Sequence, residues 1–426
     1  MIRNVGRMMA IALGVTALFL AALAPAGVAK TVVNFAVWGA TLRWQPVLAA
    51  FHAQHPDIEI SMQTFGGNAY TLQEAAALRF AAGTPPDLLL THGSTHYENL
   101  MAGFFADLSP YVARDGVDLY AVFPRATIEY FQPDGRLTGI PVQATATVLW
   151  YNKALFDNSG LAYPNREWRM LDEMVTAARR ITQDQNGDGE PDVWGVYSPL
   201  WREAIDYWGT SIYREDMRRS NLLSPDVLDA YNWANDLYNT WRVVPRSRSV
   251  FDSGRMGMDF GIQSVLNNAN NWEFPWDIEL LPIAPAGRRM TYGGIAGISM
   301  GAGAPNADAA WEFIKFIATE ETQMQLLLEM GWGAGGPAMW ARYLDRIRPA
   351  APDSFENRTA MAEAYLDVNY SSPFVPESRR LIDLRTTYLQ QIMTGEKAPR
   401  VILAEFHSVL QPTLDEIWQR WDERKE

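Results

Sequence analysis

Aromatic and polar side chains follow the ends of three predicted strands. They are Trp38 and Gly39, Asn68 and Tyr70, and His92 and Ser94. Aromatic faces stack on the flat, C–H-rich faces of sugar rings, and amide, hydroxyl and imidazole groups hydrogen-bond sugar hydroxyls. The alternative for each position is structural: a core Trp, a plain turn, or capping at a strand end. The pattern predicts a binding site for a hydroxyl-rich small molecule.

Strands and helices alternate in the segment that carries these residues. Apolar runs predict strands at Thr31–Trp38, Ile58–Met62 and Asp87–Thr91. Helical spacing predicts helices at Trp44–Phe51 and Tyr70–Ala82. This alternation favours an α/β lobe with a mostly parallel sheet, where ligands bind beyond the carboxyl ends of the strands.

The rest of the chain predicts a second α/β lobe. An extended segment from Gly139 through Tyr151 marks a first crossing, and the small-residue strand Tyr292–Ser299 marks the return. Further helices are predicted at Lys153–Phe156, from about Ala307, at Leu381–Met393 and at Ile402–Trp421. A chain of 426 residues exceeds one ordinary core, so two lobes are expected.

The N-terminus has the three zones of an export signal. Arg3 and Arg7 precede an apolar run, Met8–Leu23, and small residues fill Ala24–Ala29. We expect cleavage after Ala29; an uncleaved anchor is the alternative. Since the chain has no cysteine, it offers no thiol for a lipid anchor and no disulfide. A freely diffusing periplasmic protein is expected.

Charge and aromatic content restrict the partners. The formal net charge is −13, which opposes binding to nucleic acid or anionic lipid. The 16 Trp, 17 Tyr and 18 Phe exceed what packing alone requires, although most of them are expected in the cores. Neither nucleic acid nor a membrane surface is expected as a partner.

Six motifs occur in an order that resembles a known family. They are Ala82–Asp87, Ala106–Tyr111, Gly139–Pro141, Leu149–Phe156, Gly254–Met258 and Ala309–Phe316. The chain resembles the extracellular solute-binding proteins of ABC transporters, family 1, in the group of maltose-binding and glycerol-3-phosphate-binding proteins. The resemblance implies the periplasmic binding protein-like fold of class II type, with two α/β lobes that close on a ligand between them. It also implies membrane permease subunits as partners, a monomer, no catalysis and no required cofactor.

The resemblance also suggests where the chain divides. Residues 1–29 form the signal peptide, 30–140 and 296–345 the N-terminal lobe, and 141–295 and 346–426 the C-terminal lobe. These boundaries place the predicted strand ends on one wall of the interlobe cleft.

Further ligand contacts are implied at positions that match the family. Tyr151 matches a near-constant position that is structural in some members. Asp259 and Gln263 follow the fifth motif, where a carboxylate could accept two sugar hydroxyls; the family's aromatic residue is displaced or replaced there, so a maltose-like specificity is not implied. Gly293 and Gly294 resemble the family's glycine pair at the return to the first lobe.

Two further aromatic residues are candidates from the sequence itself. Trp208, in a cluster with Trp201 and Tyr207, suits a cleft face or a helix core equally. Trp332, between Gly331 and Gly333, could act as a lid aromatic.

An acidic loop provides a candidate metal site. Asp184, Asn186, Asp188 and Asp192 occupy positions 1, 3, 5 and 9 of a calcium-loop pattern, with glycine at position 6. Position 12 is Gly195 instead of the bidentate glutamate. Structural calcium and a plain polar turn therefore both remain open.

Gly297–Gly301 matches the hydrolase motif around a nucleophilic serine, with Asp383 and His407 following in order. The predicted helix begins too late after Ser299 for that motif, so a secreted carbohydrate-active hydrolase is the remote alternative.

The leading hypothesis is a periplasmic importer component for a neutral mono- or oligosaccharide. Glycerol phosphate or a polyol is the nearest alternative. A phosphate would need a basic residue in the cleft, and Arg43 and Arg255 are the candidates.

Overall fold

The computed structural model describes residues 30–423 except 40, 134, 247–248, 263–270, 292, 348–355, 358, 366–367 and 369–374. The predicted signal peptide and its cleavage site lie outside these residues. Within the described ranges, no helix has both the length and the apolar character needed to cross a membrane.

The first sheet has five strands in the order β2-β1-β3-β9-β4. Its strands are β1 (Thr31–Val37), β2 (Ile58–Thr64), β3 (Leu88–His92), β4 (Ile140–Ala144) and β9 (Ile295–Met300). β1 pairs in parallel with β2 and β3, whereas β9 is antiparallel to both β3 and β4. The carboxyl ends of β1 to β4 and the start of β9 therefore lie at the same edge.

The second sheet has four strands in the order β6-β7-β5-β8. Its strands are β5 (Thr147–Asn152), β6 (Trp194–Tyr197), β7 (Met256–Ile262) and β8 (Trp276–Glu279). β6 and β7 are parallel, and β5 is antiparallel to β7 and β8. The chain thus passes from the first sheet to the second between Ala144 and Thr147, just beyond the predicted boundary at residue 140.

Helices flank both sheets. Those of the first half are α1 (Gln45–Gln54), α2 (Ala69–Ala81), α3 (Gly93–Met101), α4 (Ser109–Asp115), α5 (Arg125–Tyr130), α6 (Lys153–Asn158), α7 (Val175–Ile181), α8 (Leu200–Tyr207) and α9 (Pro225–Asn235). The later ones are α10 (Ala307–Ile317), α11 (Glu320–Met330), α12 (Pro337–Ile347), α13 (Thr359–Ala364), α14 (Ser378–Leu389) and α15 (Pro399–Glu423). The prediction of two α/β lobes is confirmed.

Two hydrophobic cores hold these layers. The first core surrounds the five-stranded sheet, with Phe35, Phe51 and Trp311 fully buried, and continues onto one face of the second sheet at Trp150. The second core lies on the other face of that sheet and includes Tyr231. Because both faces of the second sheet are covered, all six residues of β5 are buried.

Asp87 connects the first sheet to α10. Its Oδ2 accepts the backbone N–H of Asn34 and its Oδ1 accepts that of Asn306, both at 2.8 Å. Asp87 is completely buried, and Asn306 immediately precedes α10. The carboxylate thereby accepts hydrogen bonds from the partly buried backbones of β1 and of the residue before α10.

Candidate ligand-binding site

Trp38, His92 and Gly294 meet at the carboxyl edge of the first sheet. Trp38 follows β1, His92 ends β3, and Gly294 precedes β9. The rings of Trp38 and His92 are nearly perpendicular, with centroids 6.2 Å apart. A Cβ on Gly294 would lie 3.7 Å from Nε2 of His92. The structure thus brings together Trp38 and His92, predicted at two strand ends, and Gly294, predicted at the return to the first lobe.

The loop after β2 is joined to the same edge. The N–H of Gly39 donates to the carbonyl of Gly66 at 3.1 Å, and that of Phe65 donates to Val37 at 2.8 Å. Gly39 and Gly66 both have positive φ, 75° and 70°, which glycine adopts without a Cβ penalty. These turns position the N-terminus of α2 beside Trp38.

Ser94 determines which nitrogen of His92 carries the proton. Nδ1 of His92 accepts the backbone N–H of Ser94 at 3.2 Å and lies 2.9 Å from the Ser94 hydroxyl oxygen. A backbone N–H can only donate, so Nδ1 is the acceptor and the proton of the neutral ring is on Nε2. Burial lowers the pKa of His92, which keeps the ring neutral at pH 7. His92 therefore presents an N–H donor next to Gly294.

The structure uses Asn68 to cap α2. Its Oδ1 accepts the N–H groups of Tyr70 at 3.0 Å and Thr71 at 3.1 Å. The sequence interpretation treated Asn68 as a ligand contact, but its carbonyl oxygen is already used by two backbone donors.

Tyr70 borders a cavity of about 680 Å³ between α2 and α14. The guanidinium carbon of Arg379 lies 5.0 Å from the centroid of the Tyr70 ring, across this space. The other lining residues are Gln73, Glu74, Ala77, Glu98, Glu377, Arg380, Asp383, Leu384 and Thr387. The volume is within the range of small-molecule sites, but Trp38, His92 and Gly294 are not among the residues that line it.

Two buried acids lie on the second sheet and the helix that follows β6. Asp259 of β7 is 7% exposed and Glu203 of α8 is 2% exposed. The Ser249 hydroxyl donates to Oδ2 of Asp259. The Ser198 hydroxyl donates to Oε2 of Glu203 at 3.0 Å, and Arg202 pairs with Oε1 at 2.7 Å.

Burial raises the pKa of Asp259 to about 7. The Ser249 hydrogen bond lowers it, whereas the nearby charges of Asp252 and Glu203 raise it further. A ligand hydroxyl that donates a hydrogen bond to this buried carboxylate would stabilise its charged form. Asp259 is therefore a candidate acceptor on the second lobe, as His92 is a candidate donor on the first.

Tyr151 lies elsewhere. It is 4% exposed, and its ring packs 5.6 Å from those of Phe156 and Tyr163. It pairs with Met258, at the end of the second sheet opposite to Thr147. In the pairing of β5 with β7, Trp150 lies opposite Asp259 and Tyr151 lies opposite Met258, so the side chains of Tyr151 and Asp259 lie on opposite faces of the sheet.

The two candidate tryptophans have different surroundings. Trp208 is half-buried and packs on Trp233 at 5.2 Å in the second core. Trp332 is half-buried, edge-on to Trp44 at 6.2 Å, and its neighbour Gly333 accepts the N–H of Ala144 at 3.0 Å. Trp332 therefore lies beside the carboxyl edge of the first sheet.

Gly293 is half-buried at the same edge, next to Gly294. Gln263 lies outside the described residues, so its predicted contact stays a prediction.

Backbone donors occupy the carboxylates of the acidic loop. Asp184 accepts the N–H groups of Gly187 and Gly189, and Asp192 accepts those of Gln185 and Asn186. Asp188 accepts the N–H of Glu190 in the same way. Over the described part of the chain, no three acidic or histidine side chains are grouped as a metal site requires. Calcium at Asp184, Asn186, Asp188 and Asp192 stays a prediction.

The residues of the hydrolase motif are separated. Ser299 is completely buried within β9, and its hydroxyl has no hydrogen-bond partner among the described residues. His407 instead bonds the hydroxyl of Ser220 at 3.0 Å. This arrangement does not provide a serine nucleophile with its base.

Sequence reasoning missed Glu203, Ser249, Thr145 and Arg379. Glu203 could have been found, because it follows the end of β6 as the other candidates follow β1 and β3. Thr145 and Arg379 lie far along the chain from the residues they contact. Ser249 is ten residues before Asp259, but no local pattern marks it.

The comparisons with known proteins agree with this geometry. The family model described as bacterial extracellular solute-binding protein matches residues 40–324. The chain belongs to this family.

Its relatives extend over most of its length. A putative binding protein of Brucella abortus is 23% identical over 92% of this chain and 94% of its own length. A maltotriose-binding protein of Pyrococcus abyssi is 22% identical over 68% of this chain and 62% of its own. The structure of the sugar-binding protein MalE from Xanthomonas citri superposes with a TM-score of 0.76 at 19% identity, covering 93% of this chain and all of that one. These similarities confirm the solute-binding family and the two-lobed fold.

Proposed function

We propose that this solute-binding protein is the periplasmic substrate-binding component of an ABC importer for a neutral mono- or oligosaccharide. It acts as a monomer that carries its ligand between the two lobes to the membrane permease subunits. The observation that carries the proposal is the pair of Trp38 and His92, an aromatic face beside an N–H donor at the edge of the first sheet. Sugar rings offer C–H faces and hydroxyl oxygens that match both groups.

The acids of the second lobe support a neutral ligand. Asp259 and Glu203 are buried, and each further negative charge nearby would raise their free energy. Sugar hydroxyls can donate to them, whereas a phosphate would be repelled. The maltotriose-binding relative and the sugar-binding MalE structure support the same ligand class.

The positions of the two candidate phosphate-binding residues do not favour glycerol phosphate as the ligand. Arg255 precedes β7, at the end of the second sheet opposite to Ile262, and its side chain bonds Ser253. Arg43 is exposed in the turn before α1. Neither is part of the group formed by Trp38, His92 and Gly294.

A thermal-shift screen followed by calorimetry tests the proposal. Neutral sugars from glucose to maltotriose and other oligosaccharides are compared with glycerol 3-phosphate. A ligand that binds only the folded state raises the melting temperature. We expect at least one neutral sugar to do so and glycerol 3-phosphate to have no effect.

A matched pair of variants locates the site. Trp38→Ala should abolish the sugar-dependent shift, because it removes the aromatic face. Trp241 is a half-buried tryptophan away from the candidate site, with the Arg179 guanidinium over its ring. Trp241→Ala should therefore retain the sugar-dependent shift. A shift with glycerol 3-phosphate alone, or release of reducing sugar from an oligosaccharide, would contradict the proposal.

A further inference from the structure

The two crossings between the sheets are joined by three hydrogen bonds, two of which involve the Thr145 hydroxyl. The chain leaves the first sheet after Ala144 and returns to it at Ile295. Thr145 and Gly294 lie side by side on these two segments. The N–H of Thr145 donates to the Gly294 carbonyl at 3.0 Å, and the N–H of Gly294 donates to the Thr145 hydroxyl oxygen at 2.6 Å. The same hydroxyl lies 3.3 Å from the Gly294 carbonyl, to which it donates.

The surroundings hold this pair tightly. Thr145 is 4% exposed. The preceding residue, Ala144, donates its N–H to Gly333 at 3.0 Å and accepts the Tyr365 hydroxyl at 2.9 Å. The end of β4 is thus fixed on both sides, and Thr145 extends that fixed point to the second crossing.

Gly294 also contacts the candidate ligand group of the first lobe. A Cβ at this position would lie 3.6 Å from the Thr145 hydroxyl oxygen and 3.7 Å from Nε2 of His92. Any rotation of the Gly294 backbone would therefore move it relative to both side chains. The Nε2–H donor of His92 therefore lies directly beside the hydrogen-bonded pair of Thr145 and Gly294.

Closure of two lobes requires backbone rotation in the segments that connect them. The pairing of β4 with β9 ends at Ala144 and Ile295, and the three hydrogen bonds between Thr145 and Gly294 extend it into both crossings, so that the two segments rotate together. We propose that Thr145 is a positioning residue that joins the two crossings into a single hinge and so fixes how the lobes are placed before a ligand arrives. The inference rests on the proposed function only in taking lobe closure as the means of ligand capture.

The absence of cysteine makes a direct test practical, because two introduced thiols would be the only labelling sites. Leu78 of α2 is 73% exposed and Leu223, between α8 and α9, is 59% exposed. Leu78→Cys and Leu223→Cys carry spin labels on the first and second lobes. Pulsed electron–electron double resonance then gives the distribution of distances between the lobes without any sugar.

Three substitutions at buried hydroxyls separate the hinge role from general packing. Thr145→Val keeps the shape but loses the hydroxyl, and we expect it to broaden the distance distribution. Thr145→Ser keeps the hydroxyl and should restore the narrow distribution. Thr127→Val also removes a buried hydroxyl bond, which Thr127 of α5 donates to the carbonyl of Pro124, and should leave the distribution unchanged. An unchanged distribution in Thr145→Val, or equal broadening in Thr127→Val, would overturn the inference.

Hydrogen exchange of the Gly294 amide provides a second measurement that needs no labels. Loss of the bond to Thr145 should speed its exchange about tenfold in Thr145→Val but not in Thr145→Ser. An amide that exchanges at the wild-type rate in Thr145→Val contradicts the proposal even if the labelled protein is unstable. Because neither measurement uses a ligand, a failure of sugar binding would refute the proposed function and leave this result standing.

Discussion

The indole of Trp38 stands edge-on to the imidazole of His92, at an interplanar angle of 85°. On its other side, the imidazole is held by Ser94 through Nδ1. The ring thus has contacts on two sides, and its remaining nitrogen is directed to the junction of the crossings at Gly294. A fixed donor beside an aromatic face loses little conformational freedom when a ligand binds.

The first prediction concerns the protonation of His92. We expect a neutral ring with the proton on Nε2 and a pKa below the ordinary 6.5, because burial disfavours the charged form. Long-range proton–nitrogen NMR of the imidazoles from pH 5 to 8 measures both properties, with His92→Gln providing the assignment. His55 stacks on Phe51 and serves as a comparison ring. A proton on Nδ1, or a ring charged at pH 7, would contradict the assigned donor.

The second prediction concerns Asp259 and stability. The pKa of this carboxyl is about 7 in the folded protein and near 4 in the unfolded chain. The folded state therefore binds more protons between these values, and stability should fall as the pH rises from about 4 to about 7. Asp259→Asn removes the buried charge, so the variant should be more stable than wild type at pH 8 by a few kcal/mol.

Urea unfolding between pH 4 and 8.5 measures this effect. The advantage of Asp259→Asn should shrink towards pH 4, where the wild-type carboxyl is protonated. Asp57→Asn, at an exposed position, is the control and should change little. A variant less stable than wild type at pH 8 would show that the carboxylate is satisfied as an anion.

The course of the first sheet could be predicted from the sequence because its signals are local. Apolar runs marked β1, β2 and β3 to within two residues, and the positions after them identified Trp38 and His92. No helix was predicted directly after the third strand, but α3 begins at Gly93 because His92 caps it. A cap of this kind depends on side-chain geometry that spacing does not reveal.

The second lobe shows why other site residues were not predictable. Tyr151 is a candidate because it matches a near-constant position of the family, and the sequence does not show which face of the sheet its side chain lies on. In the structure it lies opposite Met258 and packs in the second core. Thr145 and Gly294 are 149 residues apart, and Tyr70 and Arg379 are separated by most of the chain. Such pairs are determined by tertiary packing alone.

The third prediction concerns the buried carboxylate of Asp87. Asp87→Ala would remove the acceptor of the partly buried N–H groups of Asn34 and Asn306, and each lost hydrogen bond costs roughly 0.5–1.5 kcal/mol. We expect a loss of stability of that order in urea unfolding, with a smaller loss for Asp87→Asn, which keeps one acceptor. Asp229→Ala, at an exposed site on α9, should be nearly neutral. Equal stability of Asp87→Ala and wild type would refute this account of how α10 is attached.

The fourth prediction concerns the contact between α2 and α14. The guanidinium carbon of Arg379 lies 5.0 Å from the centroid of the Tyr70 ring. The Nε of Arg379 is also 3.8 Å from a carboxylate oxygen of Asp383, one turn further along α14. An exposed cation over an aromatic face contributes about 0.5–1 kcal/mol. A double-mutant cycle of Tyr70→Leu and Arg379→Gln in urea unfolding should show coupling of that size.

Arg380 supplies the matched control for this cycle. It is the next residue of α14 but pairs with Glu416 at 2.9 Å, so Arg380→Gln should show no coupling to Tyr70. Tyr70→Phe keeps the ring and should keep the coupling to Arg379. If Arg379 and Arg380 couple equally to Tyr70, the effect is general electrostatics and the two helices are not joined by this contact. A coupling specific to Arg379 would instead mean that Tyr70, which borders the cavity on the first lobe, interacts energetically with α14 of the second lobe.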